Sequence, residues 1–140
     1  MPSSQPSLER NVAARLTAAA LVIAVAYVHI RDQGGFPGDK APGYVGAGYY
    51  ALELGGLLAA VALVAGVGRQ TLKLWALTVG VAVGPIVGFA LSRGPGLPNY
   101  IEDRGNWTEP LALVGLTVEL TLLMLTTTVL VRSRRARVLS

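Results

Sequence analysis

The chain has 140 residues, of which 52% are hydrophobic and only 14% are charged, with a formal net charge of +4. This composition is more apolar than that of an ordinary soluble domain and excludes a disordered chain, and the length leaves room for one domain. The absence of cysteine excludes disulfides and thiolate metal sites. The basic residues flank apolar segments instead of forming a basic face, so no nucleic-acid partner is expected.

Four apolar segments follow a polar segment over 1–10 that is rich in proline and serine, which we expect to be a disordered tail. Each apolar segment is long enough, at about 1.5 Å per helical residue, to cross a hydrocarbon core of about 30 Å. None alternates in polarity as a barrel strand does. The sequence therefore predicts an all-α integral membrane four-helix bundle over 11–131, with spans at 12–30, 44–67, 72–91 and 110–131 and a basic tail over 132–140.

The distribution of basic residues predicts the orientation of these spans. Eight lie in the N-terminal segment, the second connection and the tail, and four lie in the first and third connections (Arg10, Arg15, Arg69, Lys73, Arg132, Arg134, Arg135 and Arg137 against Arg31, Lys40, Arg93 and Arg104). Because cytoplasmic loops carry an excess of Lys and Arg, both termini are expected in the cytoplasm of a multi-pass protein of the cell membrane.

The first segment has an alternative interpretation as a secretory signal peptide. Arg10 and Arg15 precede an apolar region, and the residues Ala24-Val25-Ala26 have the small-x-small form of a cleavage site. Against this interpretation, the apolar run continues to Ile30 without a helix breaker. We favour a membrane span.

Two acids lie inside the predicted spans. Glu53 and Glu119 are each nine residues into a helix that starts on the outer side, so both should lie near mid-membrane and face the bundle interior. They either form a coupled pair that holds or passes a proton or cation, or act as interhelical hydrogen-bond partners. Tyr49 and Tyr50 precede Glu53 by about one turn, so they either anchor the helix at the interface or hydrogen-bond this acid.

A second group of polar residues is predicted on the outer face. A single histidine together with carboxylates suits either a divalent metal or proton uptake, or else a histidine paired with a neighbouring carboxylate. Since the chain has only one histidine, no two-histidine metal motif exists, and neither a resident metal nor a cofactor is predicted. The residues of this outer-face cluster are His29, Asp32, Glu102, Asp103, Asn106, Trp107 and Glu109.

The third span contains Gly80, Gly84 and Gly88 at successive i+4 positions. Such a stripe is typical of close helix packing, and either Gly55 with Ala59 or Gly56 with Ala60 offers a matching small face on the second span. Pro85 removes one backbone hydrogen bond and is expected to kink the helix, freeing a carbonyl for one of the intramembrane acids.

The connection over 92–109 is the most distinctive part of the chain. Its Gly-Pro pairs fix turns, Thr108 can cap the last helix and Pro110 suits its first turn, so the loop is expected to fold on the outer surface. The residues Gly96-Leu97-Pro98, Trp107-Thr108-Glu109-Pro110-Leu111 and Val118-Glu119 resemble those of a group of small four-span membrane proteins of high-GC Gram-positive bacteria. This resemblance implies the architecture and no particular activity. In size and span number alone the chain also resembles the DoxX-like proteins.

Three classes of function remain open at this point. The chain is expected to be an accessory or assembly subunit of a larger membrane complex, because small polytopic proteins with glycine-lined faces commonly need a partner or form homo-oligomers. The alternative is a small oligomeric proton- or cation-coupled transporter or channel that uses Glu53 and Glu119. A metal-dependent membrane enzyme is the least favoured, since no phosphate loop, nucleophile with a histidine partner or dinucleotide motif is present.

Overall fold

The computed structural model describes residues 11–66 and 71–139, and the predicted tail over 1–10 lies outside them. The described residues form four α-helices and no strands, which confirms the all-α class: α1 (Val12–Asp32), α2 (Gly43–Ala65), α3 (Thr71–Arg93) and α4 (Pro110–Val138). All four are long and apolar enough to cross a membrane, which indicates a multi-pass membrane protein.

The helices differ from the predicted spans mainly at their ends. Helix α4 continues to Val138, through most of the segment predicted as a separate basic tail. Arginine is a good helix former, and cations in a last turn interact favourably with the helix dipole, so nothing in this segment stops the helix. Helix α2 ends at Ala65 because Gly66 adopts the left-handed conformation, with φ 69°.

Arg15 joins the start of α1 to the end of α2. Its Nε donates to the carbonyl of Leu63 at 2.8 Å, and its Nη2 donates to the carbonyl of Val64 at 3.0 Å. These carbonyls belong to the last turn of α2 and have no partner within the helix. A residue that the sequence identified only as a basic charge therefore caps α2.

Each helix packs against the next one along the chain, and α4 packs against α1, which closes the bundle. Helix α1 also touches α3 across the bundle, whereas α2 and α4 are diagonal and do not meet within the described residues. The core between the helices is built from fully buried side chains of all four: Ala18, Val22, Val25, Ala59, Leu63, Trp75, Ala82, Leu122 and Val129.

Large apolar side chains also cover the outside of the bundle. Leu54, Leu57, Leu58 and Val61 of α2 are each about 60% exposed. In lipid these side chains need no protein cover, because hydrocarbon is as apolar as they are. The connections over 33–42 and 94–109 lie at one end of the bundle, which we call the loop end.

Candidate functional site

Glu53 bonds to the residue that ends α1. Gln33, the C-cap of α1, donates from Nε2 to Glu53 Oε1 at 2.7 Å, and the two residues are only 2% and 6% exposed. Oε2 of Glu53 and Oε1 of Gln33 are both buried without a hydrogen-bond partner. Burying an acceptor without a donor is costly, so a proton or cation placed at these atoms would be stabilised.

Glu119 of α4 lies beside His29 of α1. Its Oε1 is 3.9 Å from Nε2 of the imidazole, and the other ring nitrogen, Nδ1, is 2.9 Å from the carbonyl of Val25. Because a carbonyl only accepts, Nδ1 carries a hydrogen, and Nε2 carries one only when the ring is charged. Attraction between Nε2 and the carboxyl group therefore requires a proton on one of them.

The two intramembrane acids make no hydrogen bond to each other within the described residues, and each faces a different side chain from the end of α1. Helices α2 and α4 are diagonal in the bundle, and α1 lies between their acids. Glu53 contacts Gln33, the C-cap of α1. Glu119 approaches His29, which lies four residues before Gln33, in the last turn of α1. The partners of the two acids are linked through the backbone, since the Gln33 amide donates to the His29 carbonyl at 3.0 Å.

The tyrosines before Glu53 bond elsewhere, so the alternative in which one of them bonds this acid is not observed. Tyr49 donates to Asp32 Oδ2, and Tyr50 donates to the carbonyl of Gly38 at 2.9 Å. Both acceptors lie at or beyond the end of α1. Tyr49 also packs edge-on against the His29 ring, with centroids 5.1 Å apart.

Asp32 is shared between Tyr49 and Lys40. The lysine Nζ lies 2.8 Å from Asp32 Oδ2 and 5.4 Å from the centre of the Tyr49 ring. Burial lowers the pKa of Lys40, but the hydrogen bond and the charge of Asp32 outweigh this effect and raise it above its usual value. The connection between α1 and α2 is thereby held against the helices.

Arg93, at the end of α3, organises the second connection. Its Nη2 donates to Glu109 Oε2 at 2.7 Å, and Nη1 donates to Ser92 Oγ at 3.1 Å and lies 3.5 Å from Asp103 Oδ2. The residue is only 7% exposed, and its Nε is buried without a partner. Tyr100 donates to Asp103 at 2.8 Å, and burial together with this bond raises the pKa of Tyr100 to about 12.

The predicted outer-face cluster is therefore divided among separate partners. His29 faces Glu119, Asp32 pairs with Lys40, and Asp103 and Glu109 surround Arg93. Its other members, Glu102, Asn106 and Trp107, are exposed. Within 11–66 and 71–139 no three His, Asp or Glu side chains are placed to hold a metal ion together. The expected Thr108 cap is also not observed, since Glu109 is the N-cap of α4 and makes no side-chain cap bond, while Pro110 occupies the first turn as predicted.

An open groove of about 490 Å³ lies mainly between α2 and α3. Most of its wall is apolar, with Leu52, Leu77 and Phe89 among the larger side chains. Polar groups are concentrated where it reaches the loop end, and these are Asp32, Tyr44, Tyr49, Ser92, Arg93, Tyr100 and Asp103.

The glycine stripe of α3 lines this groove, which corrects its expected packing against α2. A Cβ atom added at Gly80, Gly84 or Gly88 would meet nothing within 4 Å, and the same holds for Gly55 on the facing side. Pro85 lies in the same wall, within the unbroken span of α3. The small face of α2 serves another neighbour, since a Cβ at Gly56 would lie 3.4 Å from Val22 of α1.

Several residues of these sites were not singled out by sequence reasoning. Gln33 looks like an ordinary loop residue, and Lys40 and Arg93 entered only as charges in the orientation count. For Arg93 a usable signal exists, because a cation that directly follows an apolar span and precedes an acidic connection tends to be paired. Comparisons with models of protein families, with curated proteins and with solved structures find no match to this chain.

Proposed function

We propose that this chain is an accessory subunit of a larger membrane complex and that its α2–α3 side faces the partner. The observation that carries this proposal is the open glycine stripe. Gly80, Gly84 and Gly88 recur on one wall of the groove, yet apart from the adjacent turns of α3 nothing in the described chain lies within 4 Å of a Cβ added at these positions.

A stripe of this kind has a cost that the chain itself does not offset. Glycine within a helix is destabilising by roughly 0.5–1 kcal/mol relative to alanine. Membrane proteins use small residues where another helix packs closely, and at Gly56 a Cβ would already contact the Val22 side chain of α1 at 3.4 Å. At Gly80, Gly84 and Gly88 the close neighbour is supplied by a helix of the partner, which crosses the open side of the groove.

The loop end offers a second contact with the partner. Trp107 is 48% exposed although its ring rests against Phe89, with centroids 5.8 Å apart. The resemblance to small four-span proteins of high-GC Gram-positive bacteria extends through this region. Together with the excess of basic residues at the opposite end, it supports a cell-membrane location with both termini cytoplasmic and the loop end outside.

The test is mild extraction of the full chain through a C-terminal tag, followed by native mass determination and identification of the proteins recovered. A stoichiometric partner is expected. Gly84→Leu should reduce its recovery at least tenfold, and Trp107→Ala should reduce it less, because the groove is the larger contact. Gly43→Leu is the matched control, since Gly43 also has open space around it but does not line the groove. Recovery of no partner from wild type, or unchanged recovery with Gly84→Leu, would overturn the proposal.

A small proton- or cation-coupled transporter is the second candidate. It is favoured by the buried positions of Glu53 and Glu119, each of which faces a polar side chain from the last turn of α1 or its C-cap. Intramembrane acids that face a bundle interior commonly mark ion pathways. Neither acid lines the groove, so such a pathway would run along α1.

Flux measurements in proteoliposomes test this candidate. Glu53→Gln and Glu119→Gln should each abolish proton or cation flux, because the amide keeps the size of the side chain but cannot release a proton. Glu102→Gln, an exposed acid on the second connection, is the control. Normal flux in both intramembrane variants, or absence of flux in wild type, would eliminate transport.

A further inference from the structure

The last two turns of α4 lie beyond its apolar part. We call residues 132–138 the α4 extension, and it contains Arg132, Arg134, Arg135 and Arg137. We infer that the side of this extension that faces away from the bundle binds the headgroups of anionic phospholipids. This surface is separate from the α2–α3 groove that the proposed function assigns to a partner, since no residue of the extension lines that groove.

The buried side of α4 fixes the direction of these arginines. Ser133 is only 2% exposed, and Val129, one turn before it, is fully buried, so α4 still packs against the bundle at the start of the extension. Successive side chains of a helix are rotated by about 100°, which places Arg132, Arg134 and Arg135 all within about 80° of the direction opposite Ser133. All three are exposed. They form one face that points away from the bundle, which we call the arginine face.

The same side of α4 is apolar nearer the middle of the helix. Met124 and Val131 precede Arg135 by about three turns and about one turn, so all three side chains point in nearly the same direction. Met124 is 72% exposed and Val131 is 42% exposed. In a membrane this stripe contacts acyl chains, because large apolar side chains on the outside of a bundle need no protein cover there. A molecule with an apolar tail along the stripe and a polar group at Arg135 is a lipid.

The helical form of the extension sets the depth of the arginine face. Residues 110–131 of α4 are about 33 Å long at roughly 1.5 Å per residue, which matches a hydrocarbon core of about 30 Å. The headgroup layers increase the thickness of a bilayer to about 40–45 Å, so each layer is about 5–8 Å thick. The residues that directly follow Val131 therefore lie at the depth of the lipid phosphates. A flexible tail could leave this layer, whereas a helix that is packed at Ser133 keeps its arginines there.

The charges at this end of the bundle select an anionic headgroup. Within 11–66 and 71–139 no salt bridge joins Arg132, Arg134 or Arg135 to an acid. A planar guanidinium binds a phosphate through two parallel hydrogen bonds, and basic residues near the membrane surface are attracted to anionic lipids. A zwitterionic headgroup carries the same phosphate, but its ammonium group would lie among the arginines. The described carboxylates all belong to the loop half of the bundle: Asp32, Asp39, Glu53, Glu102, Asp103, Glu109 and Glu119.

The test measures which lipids the purified full-length chain retains. The chain is equilibrated in mixed micelles with equal amounts of dioleoylphosphatidylglycerol and dioleoylphosphatidylcholine, which share their acyl chains and differ in the headgroup. Native mass spectrometry then counts the lipids that remain bound. Wild type is expected to retain the anionic lipid at least fivefold over the zwitterionic one. This preference should fall at least twofold when the ionic strength during equilibration is raised to about 0.5 M, because salt screens exposed charges.

Glutamine variants relate this preference to the arginine face. Arg132→Gln, Arg134→Gln and Arg135→Gln combined remove three charges while keeping good helix formers, and the preference should fall below twofold. The control combines Arg31→Gln with Arg104→Gln, two exposed arginines of the loop end that each neighbour an aspartate in the chain, and it should keep the preference of wild type. Thermal unfolding verifies that each variant is folded. Arg135→Gln alone should lower the preference at least twofold, and it serves if the triple variant does not fold.

A further variant tests the helical placement of the arginines. Insertion of two glycines between Val131 and Arg132 keeps every arginine but weakens the helix at the start of the extension, and it should lower the preference at least twofold. Gly84→Leu should leave the preference unchanged, because Gly84 lines the groove and not the arginine face.

Equal retention of the two lipids by wild type would overturn the inference. An unchanged preference in the folded triple glutamine variant or in the glycine insertion would overturn it as well, because the lipid would then bind elsewhere. Binding of a short DNA duplex or of a polyglutamate peptide that requires the three arginines, without any lipid preference, would assign the arginine face to another anionic partner and also overturn the inference.

Discussion

The two sides of α2 use the same residue type in opposite ways. Gly56 faces α1, where a Cβ would lie 3.4 Å from Val22, and it permits close packing. Its neighbour Gly55 faces the groove toward α3, where a Cβ would meet nothing within 4 Å. One residue along a helix rotates the side-chain direction by about 100°, so adjacent glycines serve different surfaces. A small-residue pattern therefore shows where a close approach is possible, but not which helix makes it.

The difference between the two sides of α2 is tested most directly by placing a larger side chain on each side in turn. Gly56→Leu should cost about 3 kcal/mol or prevent folding, because the new side chain overlaps Val22 and Ala26. Gly55→Leu should change stability by less than about 1 kcal/mol and in the stabilising direction, since leucine is the better helix former. Denaturant unfolding in mixed micelles, followed by tryptophan fluorescence, measures both. Equal losses in the two variants would show that the groove closes in the folded protein.

The next largest effect on stability is expected from the hydrogen bond between Gln33, the C-cap of α1, and Glu53. Gln33→Leu removes the hydrogen-bond donor to Glu53 and leaves both carboxyl oxygens buried without a partner. The expected loss is about 1–3 kcal/mol in the free energy of unfolding. Asn106→Leu, at an exposed position of the other connection, is the control and should be nearly neutral. If Gln33→Leu were as stable as wild type, Glu53 would not depend on this bond.

The contact that Arg15 makes between α1 and α2, at the end of the bundle opposite the loop end, can be weakened separately. Arg15→Met keeps most of the side-chain volume and removes both hydrogen bonds to the last turn of α2. We expect a loss of about 1–2 kcal/mol. Hydrogen exchange should be faster at the amides near Ala65, while the loop end keeps its protection. Uniformly faster exchange across α1 and α2 would indicate that Arg15 supports the whole interface instead of one helix end.

The smallest expected effect concerns pH at the loop end. The pKa of Tyr100 is raised from its ordinary value to about 12, so its favourable bond to Asp103 stabilises the folded chain fully below pH 10 and is lost between pH 10 and 12. Tyr100→Phe should abolish this part of the alkaline loss of stability and remove one late-titrating phenol from the absorbance titration. A titration curve identical to that of wild type would contradict the assignment.

The lengths of the apolar runs are enough to predict most of the fold. A run such as 72–91 can satisfy its backbone only as a helix if it is surrounded by lipid, so helix number, order and approximate limits follow from the sequence. The fourth span was predicted too short for a related reason. The predicted span stops where hydropathy stops, but the arginines from Arg132 onward keep the helical conformation without needing lipid.

The candidate sites were predictable in composition and not in pairing. The sequence identifies Glu53, Glu119 and His29 as unusual residues in apolar surroundings, and the structure places all three around the last turn of α1. The sequence does not reveal that Glu53 bonds to Gln33, because Gln33 lies beyond the apolar run and is twenty residues away. Arg93 likewise gains its meaning from Glu109 and Asp103, which the folded connection brings back to α3.

The sequence by itself determined that this chain forms four apolar helices, that two acids lie within them and that glycines line one face of α3. Each of these properties is local, since it depends on residue type and on helical spacing. Only the tertiary structure decided which helices are neighbours. By placing α2 and α4 on a diagonal it separated the two acids, and by leaving open space between the glycines of α2 and α3 it turned the predicted packing stripe into the wall of an open groove.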